Sequence, residues 1–263
     1  MTQAQPEDRY VVRLAKDRLD LTAAHRLRYQ VFVAELGADG PLVDHAACEE
    51  RDEFDDHFDH MVLVDTTRDP QGFDHVVGVY RLLPCDHLER AGRFYSETEF
   101  DLTVLKSSGR RLLELGRSCI HADHRGGTGM FQLWNGLARY VIERKIEVMF
   151  GAASLPGTDP VALAVPLSHL YHFHLAPPPL RVVARGANAA HMNLLPAAQL
   201  DRRAALAGLP ALIKAYLRLG GFVGDGAFVD RAFNTIDVCL VMDTEMMSVK
   251  HREFYIRKGT ANV

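Results

Sequence analysis

Residues 110–160 constrain the fold more than any other stretch of the chain. Residues 112–121 are apolar or small and have the length of a strand. A glycine-rich turn follows, and then apolar residues recur at three- and four-residue spacing, which is typical of a helix with one buried face: Met130, Leu133, Trp134, Leu137, Tyr140 and Val141. Residues 148–153 are apolar on both faces, which favours a central strand of an α/β sheet. The stretch therefore predicts a strand–turn–helix–strand unit, whose helix N-terminus can hold an anionic cofactor.

The composition is that of a globular protein with one sizeable core. Of 263 residues 48% are hydrophobic and 24% charged, which excludes a disordered or fibrous chain. The net charge of −4 gives no attraction to nucleic acid. Four scattered cysteines, no export signal and no run of about 18 apolar residues predict a cytoplasmic protein without a membrane span. Peripheral contact with the inner membrane face stays open.

The remaining chain alternates between strand and helix patterns. Strands are expected at residues 10–14, 60–64, 76–83, 180–183, 222–229 and 236–242. Helices are expected at residues 21–36 with Thr22 as N-cap and Gly37 as C-cap, at 159–171 with Pro160 in the first turn, and from Asp201 to Gly220. Because nothing resembles a linker, we predict one domain over residues 1–263, with polar tails at 1–8 and 246–263.

Several short segments together resemble a known enzyme family. They are LRYQVF at 27–32, ELG at 35–37, DEFD at 52–55 with His60, VYRL at 79–82, ELGR at 114–117, FGAAS at 150–154, GTDP at 157–160, LIKAYLRLG at 212–220, and then Asp230, Phe233 and Asp237 with Val238. In order and spacing they resemble the ornithine N-acyltransferases of the GNAT acyltransferase superfamily, which are related to acyl-homoserine lactone synthases. The resemblance implies an α/β GNAT fold, in which a mixed central sheet with splayed central strands is flanked by helices and admits the acyl donor between those strands.

The resemblance also implies a reaction. A 3-hydroxyacyl group would pass from acyl carrier protein to the α-amine of ornithine, which gives lyso-ornithine lipid. Three alternatives stay open: glutamine or another amino acid as acceptor, acyl-homoserine lactone synthesis, and a GNAT module that binds acyl chains or carrier protein without turnover. The lactone synthases carry a tryptophan soon after the first helix, where this chain has Gly37, Ala38, Asp39 and Gly40.

One departure from the superfamily pattern favours a carrier-protein donor over coenzyme A. Acetyltransferases of this superfamily usually carry Arg or Gln followed by glycines that cradle a pyrophosphate, but three and five residues after Arg125 stand Thr128 and Met130. A carrier-protein arm has one phosphodiester, for which a poorer cradle suffices. We assign donor binding to Ile120, Arg125, Gly127, Gly129, Gly151 and Ala153, and expect no tightly bound cofactor.

An amine that attacks a thioester must first lose a proton, and the oxyanion that forms needs hydrogen-bond donors. Glu114 is the candidate base, acting through a water, because it lies among leucines where burial favours the protonated carboxylic acid. Strict strand alternation would turn Arg117 to the opposite face, and a bulge at Gly116 would bring both to one side. The alternative is a plain ion pair between Glu114 and Arg117.

Further residues are candidates for holding the substrates. Arg28 and Arg117 could grip a carboxylate or phosphate, because a guanidinium binds such groups in a fork. Asp52 and Asp55 could receive the ornithine ammonium or order a lid, unless they are simply a solvated acidic loop. The full substrate set is Arg28, Phe32, Asp52, Asp55, Arg81 and Ser154, of which Ser154 is otherwise a helix cap.

Basic residues at two places could dock the acidic carrier protein electrostatically: Arg110, Arg111, Lys214 and Arg218. Two groups of metal-binding residue types also occur, namely Cys119 with His121 and His124, and His169 with His172 and His174. Neither has a second set of ligands at standard spacing, so we expect no metal.

Overall fold

The computed structural model describes residues 9–246, so the predicted tail at 1–8 and nearly all of the tail at 246–263 lie outside the described residues. The strands are β1 (Tyr10–Leu14), β2 (Asp59–Asp65), β3 (Val76–Pro84), β4 (Phe100–Asp101), β5 (Leu112–Ile120), β6 (Val148–Pro156), β7 (Val183–Ala184), β8 (Ala189–Ala190), β9 (Phe222–Val223), β10 (Ala227–Asp230) and β11 (Thr235–Asp243). The helices are α1 (Arg18–Arg28), α2 (Leu88–Ala91), α3 (Thr103–Lys106), α4 (Gly129–Glu143), α5 (Ala164–His174), α6 (Arg202–Gly208) and α7 (Ala211–Arg218). Among the described helices none is long and apolar enough to cross a bilayer.

The described chain divides into two compact units. The first contains residues 9–83 and 115–144, and the second contains residues 84–114 and 145–246. In the first unit β2 pairs antiparallel with both β1 and β3, and α1 and α4 pack on these strands. In the second unit the start of β5 is parallel to β6, while β11 is antiparallel to both β6 and β10. The predicted fold class, a mixed sheet flanked by helices, is confirmed, whereas the single domain stays a prediction.

The strand–turn–helix–strand unit is confirmed as β5, α4 and β6. Lys145, with φ 54°, reverses the chain after α4 in the left-handed conformation. The parallel pairing of β5 with β6 covers three residue pairs, the last of which is Glu114 with Phe150. Both strands are largely buried, which explains why residues 148–153 are apolar on both faces.

Some element boundaries differ from the expected ones for local reasons. Helix α1 begins at Arg18, because the Asp17 carboxylate accepts the Asp20 N–H at 3.0 Å and caps the helix in place of Thr22. A π-helical segment, Tyr29–Glu35, continues α1 as far as the expected end near Gly37. The expected long helix after Asp201 is two helices, since Pro210 interrupts the hydrogen-bond pattern between α6 and α7.

The strand expected at residues 180–183 is wrong. Three consecutive prolines fix the backbone there, and a 3₁₀ turn at Pro178–Leu180 precedes the two-residue strand β7. Helix α5 likewise begins at Ala164 and not near Pro160, because the Asp159 side chain first accepts the Val161 N–H in a local turn.

Gly136 allows α4 to pack closely on β1 and β2. A Cβ atom at this position would lie 2.4 Å from Cγ1 of Val12 and 3.1 Å from the sulfur of Met61. We therefore expect Gly136→Ala to lower the free energy of unfolding by about 1–3 kcal/mol, as overpacked cores do. Urea unfolding measures this, with Gly127→Ala as the control, because a Cβ at Gly127 meets only the His124 carbonyl oxygen at 4.0 Å. Equal losses in both variants would contradict the close packing.

Candidate active-site residues

Six charged side chains of the first unit form a closed ring in which arginines and carboxylates alternate. We call it the ionic ring, and its members are Arg28, Glu50, Asp52, Asp55, Arg81 and Arg117. Arg28 and Arg81 are fully buried, so their charges are removed from water. Buried guanidinium groups require paired carboxylates, and the ring supplies them.

Regular elements supply the arginines, and one loop supplies the acids. Arg28 is the last residue of α1, Arg81 lies in β3 and Arg117 lies in β5. The three acids lie between the π-helical segment and β2, where the sequence has almost no periodicity. Their local turn is fixed by side chains, since Asp55 accepts the Asp52 N–H at 2.9 Å.

Every carboxylate in the ionic ring contacts two arginines. Glu50 accepts from Nε of Arg28 at 2.6 Å and from Nε of Arg117 at 3.3 Å. Asp52 accepts from Arg81 at 2.6 Å and from Arg117 at 3.1 Å. Asp55 accepts from Arg28 and, at 2.8 Å, from Arg81. The three positive and three negative charges balance, so the ring as a whole has no net attraction for a cation.

The ring keeps its carboxylates ionised. Burial alone would raise the pKa of Glu50, but Arg117 and Arg28 outweigh it and lower this pKa to about 2. Burial likewise opposes the charge of Asp55, while Arg28 and Arg81 lower its pKa far below the usual range. For Asp52 too, Arg81 and Arg117 outweigh burial and lower the pKa. None of the three is therefore poised to act as a base at neutral pH.

Arg117 enters the ring from a strained backbone. Its φ of 49° is left-handed, a conformation that costs a non-glycine residue about 1–3 kcal/mol. The predicted irregularity near Gly116 therefore falls on Arg117 itself. Two carboxylates hold the strained residue, and such strain is concentrated at functional sites.

Arg28 retains a donor that the ring does not use. Among the described residues its Nη2 atom has no hydrogen-bond partner, although the side chain is fully buried. A guanidinium nitrogen of this kind can take one oxygen of a substrate carboxylate or phosphate, which agrees with the role predicted for Arg28. The guanidinium of Arg81 lies over the ring of Phe58, with Cζ 4.2 Å from the ring centre, and this contact fixes its position.

Two histidines border the ionic ring. The Nε2 atom of His60 lies 2.9 Å from the Asp55 carbonyl oxygen and donates a hydrogen bond to it. The Nδ1 atom of the neutral imidazole therefore carries the lone pair. Burial lowers the pKa of His60, and burial together with Arg28 lowers the pKa of His25 to about 4. Both imidazoles are therefore neutral at pH 7.

Asp55, His25 and His60 place ligand atoms within 4.8 Å of one another, a separation that a metal ion could bridge. The Asp55 carboxylate, however, is bound by Arg28 and Arg81, whose charges oppose a cation. In the Cys119 group, burial raises the pKa of the thiol to about 12, which disfavours the thiolate that a metal needs. That no metal binds stays a prediction.

Glu114 lies in the second unit and is almost fully buried, with 1% of its surface exposed. One carboxylate oxygen accepts the Tyr95 N–H at 2.7 Å, and the other accepts the Ser96 N–H at 2.6 Å. Hydrogen bonds from two N–H groups stabilise the ionised carboxylate, so they oppose the uptake of a proton that a general base requires. The geometry therefore assigns Glu114 at least to holding the turn Tyr95–Thr98, and its role as general base stays a prediction.

Replacing Glu114 separates these two roles. Glutamine at this position would turn an NH2 group toward a backbone N–H, so we expect Glu114→Gln to lower the free energy of unfolding by about 2–3 kcal/mol. Denaturant unfolding measures this change, with Glu89→Gln on the exposed surface as the control. Full stability together with lost turnover would instead identify Glu114 as the base alone.

The predicted donor residues of the first unit lie around the start of α4. Arg125 donates from Nε to the Ile120 carbonyl oxygen at 2.9 Å and pairs with Glu35 at 2.7 Å. Gly129 is the first residue of α4, where a Cβ would lie 3.0 Å from a methyl group of Leu63. Close packing therefore explains why residue 129 is glycine, while a Cβ at Gly127 would contact only the His124 carbonyl oxygen, at 4.0 Å.

The predicted site residues on β6 are Gly151, Ala153 and Ser154. All three lie opposite β11, and Ser154 is exposed and directly opposite Asp237. Ala153 is buried, so it contributes to the core. In the first unit Phe32 is partly buried and packs on the apolar cluster that contains Leu27 and Val31.

The predicted docking residues differ in how freely they could meet a partner. Arg110 forms a two-fold hydrogen bond with Asp243 at 2.6 and 2.8 Å, which neutralises its charge. Arg111 and Arg218 are exposed, and Lys214 is half-buried beside Arg218 on α7. Of the four predicted docking residues, Arg110 is therefore the least suited to bind an acidic partner.

Sequence reasoning missed Glu50 as a site residue, although it binds two of the three ring arginines. It also missed His25, which faces Asp55 at 3.8 Å. No periodicity marks either residue, and only the run of acids in this loop hinted that some would be paired.

Comparison with known proteins agrees with this architecture. A family model described as an acetyltransferase (GNAT) domain matches residues 27–135. The solved structure of BjaI, a CoA-dependent acyl-homoserine lactone synthase, with MTA, has a TM-score of 0.54 at 14% identity and covers 97% of this chain and 92% of that one. FeeM, an N-acyl amino acid synthase from uncultured soil microbes, has a TM-score of 0.52 at 10% identity, covering 94% and 98%. The domain match and these two structures together show that the chain has the GNAT fold.

Curated relatives identify the family, within the GNAT fold, to which the chain belongs. The L-ornithine N(alpha)-acyltransferase of Rhodobacter capsulatus is 58% identical over 249 residues, which are 95% of each chain. The enzymes of the same name from Brucella abortus and Rhizobium meliloti are 38% and 39% identical and cover 93% and 92% of this chain and 88% and 83% of their own. The chain therefore belongs to the L-ornithine N(alpha)-acyltransferase family, and the prediction of an enzyme, rather than a binding module without turnover, is confirmed.

Proposed function

We propose that the chain transfers a 3-hydroxyacyl group from acyl carrier protein to the α-amine of L-ornithine, giving lyso-ornithine lipid. The observation that carries the proposal is 58% identity, over 95% of both chains, to a relative named for ornithine acylation. The ornithine nitrogen forms an amide bond with the thioester carbon, and the carbon–sulfur bond breaks. One ammonium proton passes to a base before attack, and the proton that the nitrogen loses as the amide forms goes to the departing sulfur, so the carrier arm leaves as a thiol.

The ionic ring supports the binding part of this reaction. Its arginines are fixed by paired carboxylates, so the unused Nη2 of Arg28 is pre-organised to receive an anionic group. That group would be a carboxylate or a phosphate. The balanced charges of the ring make an ammonium at Asp52 or Asp55 less favourable than we expect from sequence alone, because it would displace arginines.

The start of α4 is the region that bears on the choice of acyl donor. Arg125 is engaged with Glu35 and the Ile120 carbonyl, so it is not a ready-made pyrophosphate clamp. The N-terminus of α4 still offers backbone N–H groups suited to one phosphodiester. This favours a carrier-protein arm over coenzyme A.

Release of free thiol measures acyl transfer and therefore tests both the amino-acid acceptor and the acyl donor. The purified protein is incubated with 3-hydroxyacyl carrier protein, or with the matching acyl-coenzyme A, and with ornithine, glutamine or S-adenosylmethionine. We expect thiol release with carrier protein and ornithine, and mass spectrometry should detect the N-acyl ornithine. Faster release with glutamine or S-adenosylmethionine would overturn the acceptor, and faster release from acyl-coenzyme A would overturn the donor.

A further inference from the structure

The second unit contains three carboxylates close together, which we call the acidic trio: Glu99, Asp230 and Asp237. Oxygens of the three lie within 4.8 Å of one another. Glu99 and Asp237 are only 3% and 4% exposed, and Asp230 is half-buried. Buried carboxylates at this separation repel one another, and a cation between them relieves the repulsion.

Strand register places two members of the trio, Asp230 and Asp237, on one face together with two hydroxyl groups. Asp230 of β10 is directly opposite Thr235 of β11, and Asp237 follows Thr235 by two residues. Ser154 of β6 is directly opposite Asp237. Because opposite residues and alternate residues share a face, all four side chains lie on the same side of these strands. Ser154, selected from sequence as a substrate residue, thus borders the trio.

Thr235 is an independent sign of a ligand at this face. Its side chain is 8% exposed, and among the described residues its hydroxyl has no hydrogen-bond partner. A buried hydroxyl without a partner is unfavourable by about 1–3 kcal/mol. A ligand with N–H donors would satisfy this oxygen and the carboxylates at once.

We propose that the acidic trio binds the side-chain ammonium of the acceptor amino acid and so selects ornithine over neutral amino acids. This inference rests on the proposed function and names its specificity determinant. An ammonium has three N–H donors and no acceptor. Three oxygens at hydrogen-bonding distance in a tetrahedral arrangement are separated by about 4.6 Å, which fits the 4.8 Å limit of the trio.

Glu99 also connects the trio to the remainder of the second unit. It follows the turn Tyr95–Thr98, whose first two N–H groups bind Glu114. The segment that holds Glu114 thus also positions one carboxylate of the trio. An acceptor anchored by its side chain would be oriented by the same segment.

Norvaline provides the test, because it has the carbon chain of ornithine without the terminal amine. We measure kcat/KM for both acceptors in the wild type, Glu99→Gln and Asp237→Asn, with Glu89→Gln as a control of equal charge change on the exposed surface. The preference for ornithine should fall by about 10–100-fold in each trio variant, mainly through KM, as expected for a lost charged hydrogen bond. The values for norvaline should stay within about three-fold, because uniform loss would indicate damaged structure.

The remaining outcomes would contradict either the proposed function or the ammonium site. If the wild type does not acylate ornithine, the proposed function fails and the inference with it. If the wild type acylates ornithine but the preference is unchanged in both folded trio variants, only the inference fails. Calorimetric titration with Ca²⁺ or Mg²⁺ alone provides a last check. Metal binding that Glu99→Gln abolishes, without a change in acceptor preference, would identify a metal site and overturn the ammonium site.

Discussion

Asp55→Asn is expected to lower the free energy of unfolding by about 3–5 kcal/mol and to abolish acyl transfer. Asp55 accepts from both Arg28 and Arg81, and both arginines are fully buried. Asparagine can still accept one hydrogen bond, but it cannot balance charge. Two buried guanidinium groups would then share two carboxylates with Arg117, and the desolvation of the unbalanced charge opposes folding.

Equilibrium unfolding in urea measures this effect. The neighbouring variant Asp56→Asn is the matched control, since Asp56 is exposed and its change should stay within about 0.5 kcal/mol. Turnover is measured at a temperature at which both variants are folded. An Asp55→Asn protein as stable as the control would show that the ionic ring does not depend on its charge balance.

The β5–α4–β6 segment can be predicted from sequence because the patterns that define it lie within short stretches of the chain. Apolar residues at helical spacing lie within α4, and residues 148–153 are apolar on both faces because β6 is buried. Such patterns need no knowledge of distant contacts. The same reasoning placed β3 within one residue of its observed end at Pro84.

The ionic ring could not be predicted in this way. Glu50 is 22 residues from Arg28 and 67 residues from Arg117, and only the folded chain brings them together. Arg28 and Arg117 are predicted from sequence to bind an oxyanion, and both lie in the ring, but that role stays a prediction. Their partners, however, belong to a loop whose residues 49–56 contain six acids, any of which could have been solvated.

Glu114 illustrates another limit. Its burial follows from the leucines around it, and 1% exposure agrees with that expectation. The donors that occupy it are backbone N–H groups of Tyr95 and Ser96, and these are independent of side-chain identity. A sequence can therefore indicate a buried carboxylate without showing what binds it.

As pH is lowered, the free energy of unfolding should begin to fall at pH values well above those at which the carboxylates are protonated. Burial and Arg28 lower the pKa of His25 to about 4 from its ordinary value near 6.5. Between these pH values the unfolded chain binds a proton that the folded chain does not, so stability falls as pH falls. The slope from this histidine is about 1.4 kcal/mol per pH unit, or about 3 kcal/mol over the window. Glu50, with its pKa lowered to about 2 from 4.5, adds a loss in the same direction only below about pH 4.5.

Unfolding measured between pH 7 and pH 5 isolates the histidine window. His25→Gln should reduce the slope by up to about 1.4 kcal/mol per pH unit, because glutamine at position 25 takes up no proton in either state. His191→Gln, which removes an exposed imidazole, is the matched control. His60 also has its pKa lowered by burial, so a residual slope of the same sign should persist in His25→Gln. Equal slopes in the wild type and His25→Gln would mean that His25 accepts its proton in the folded protein, where the neighbouring Asp55 and Glu49 carboxylates would then have to outweigh Arg28.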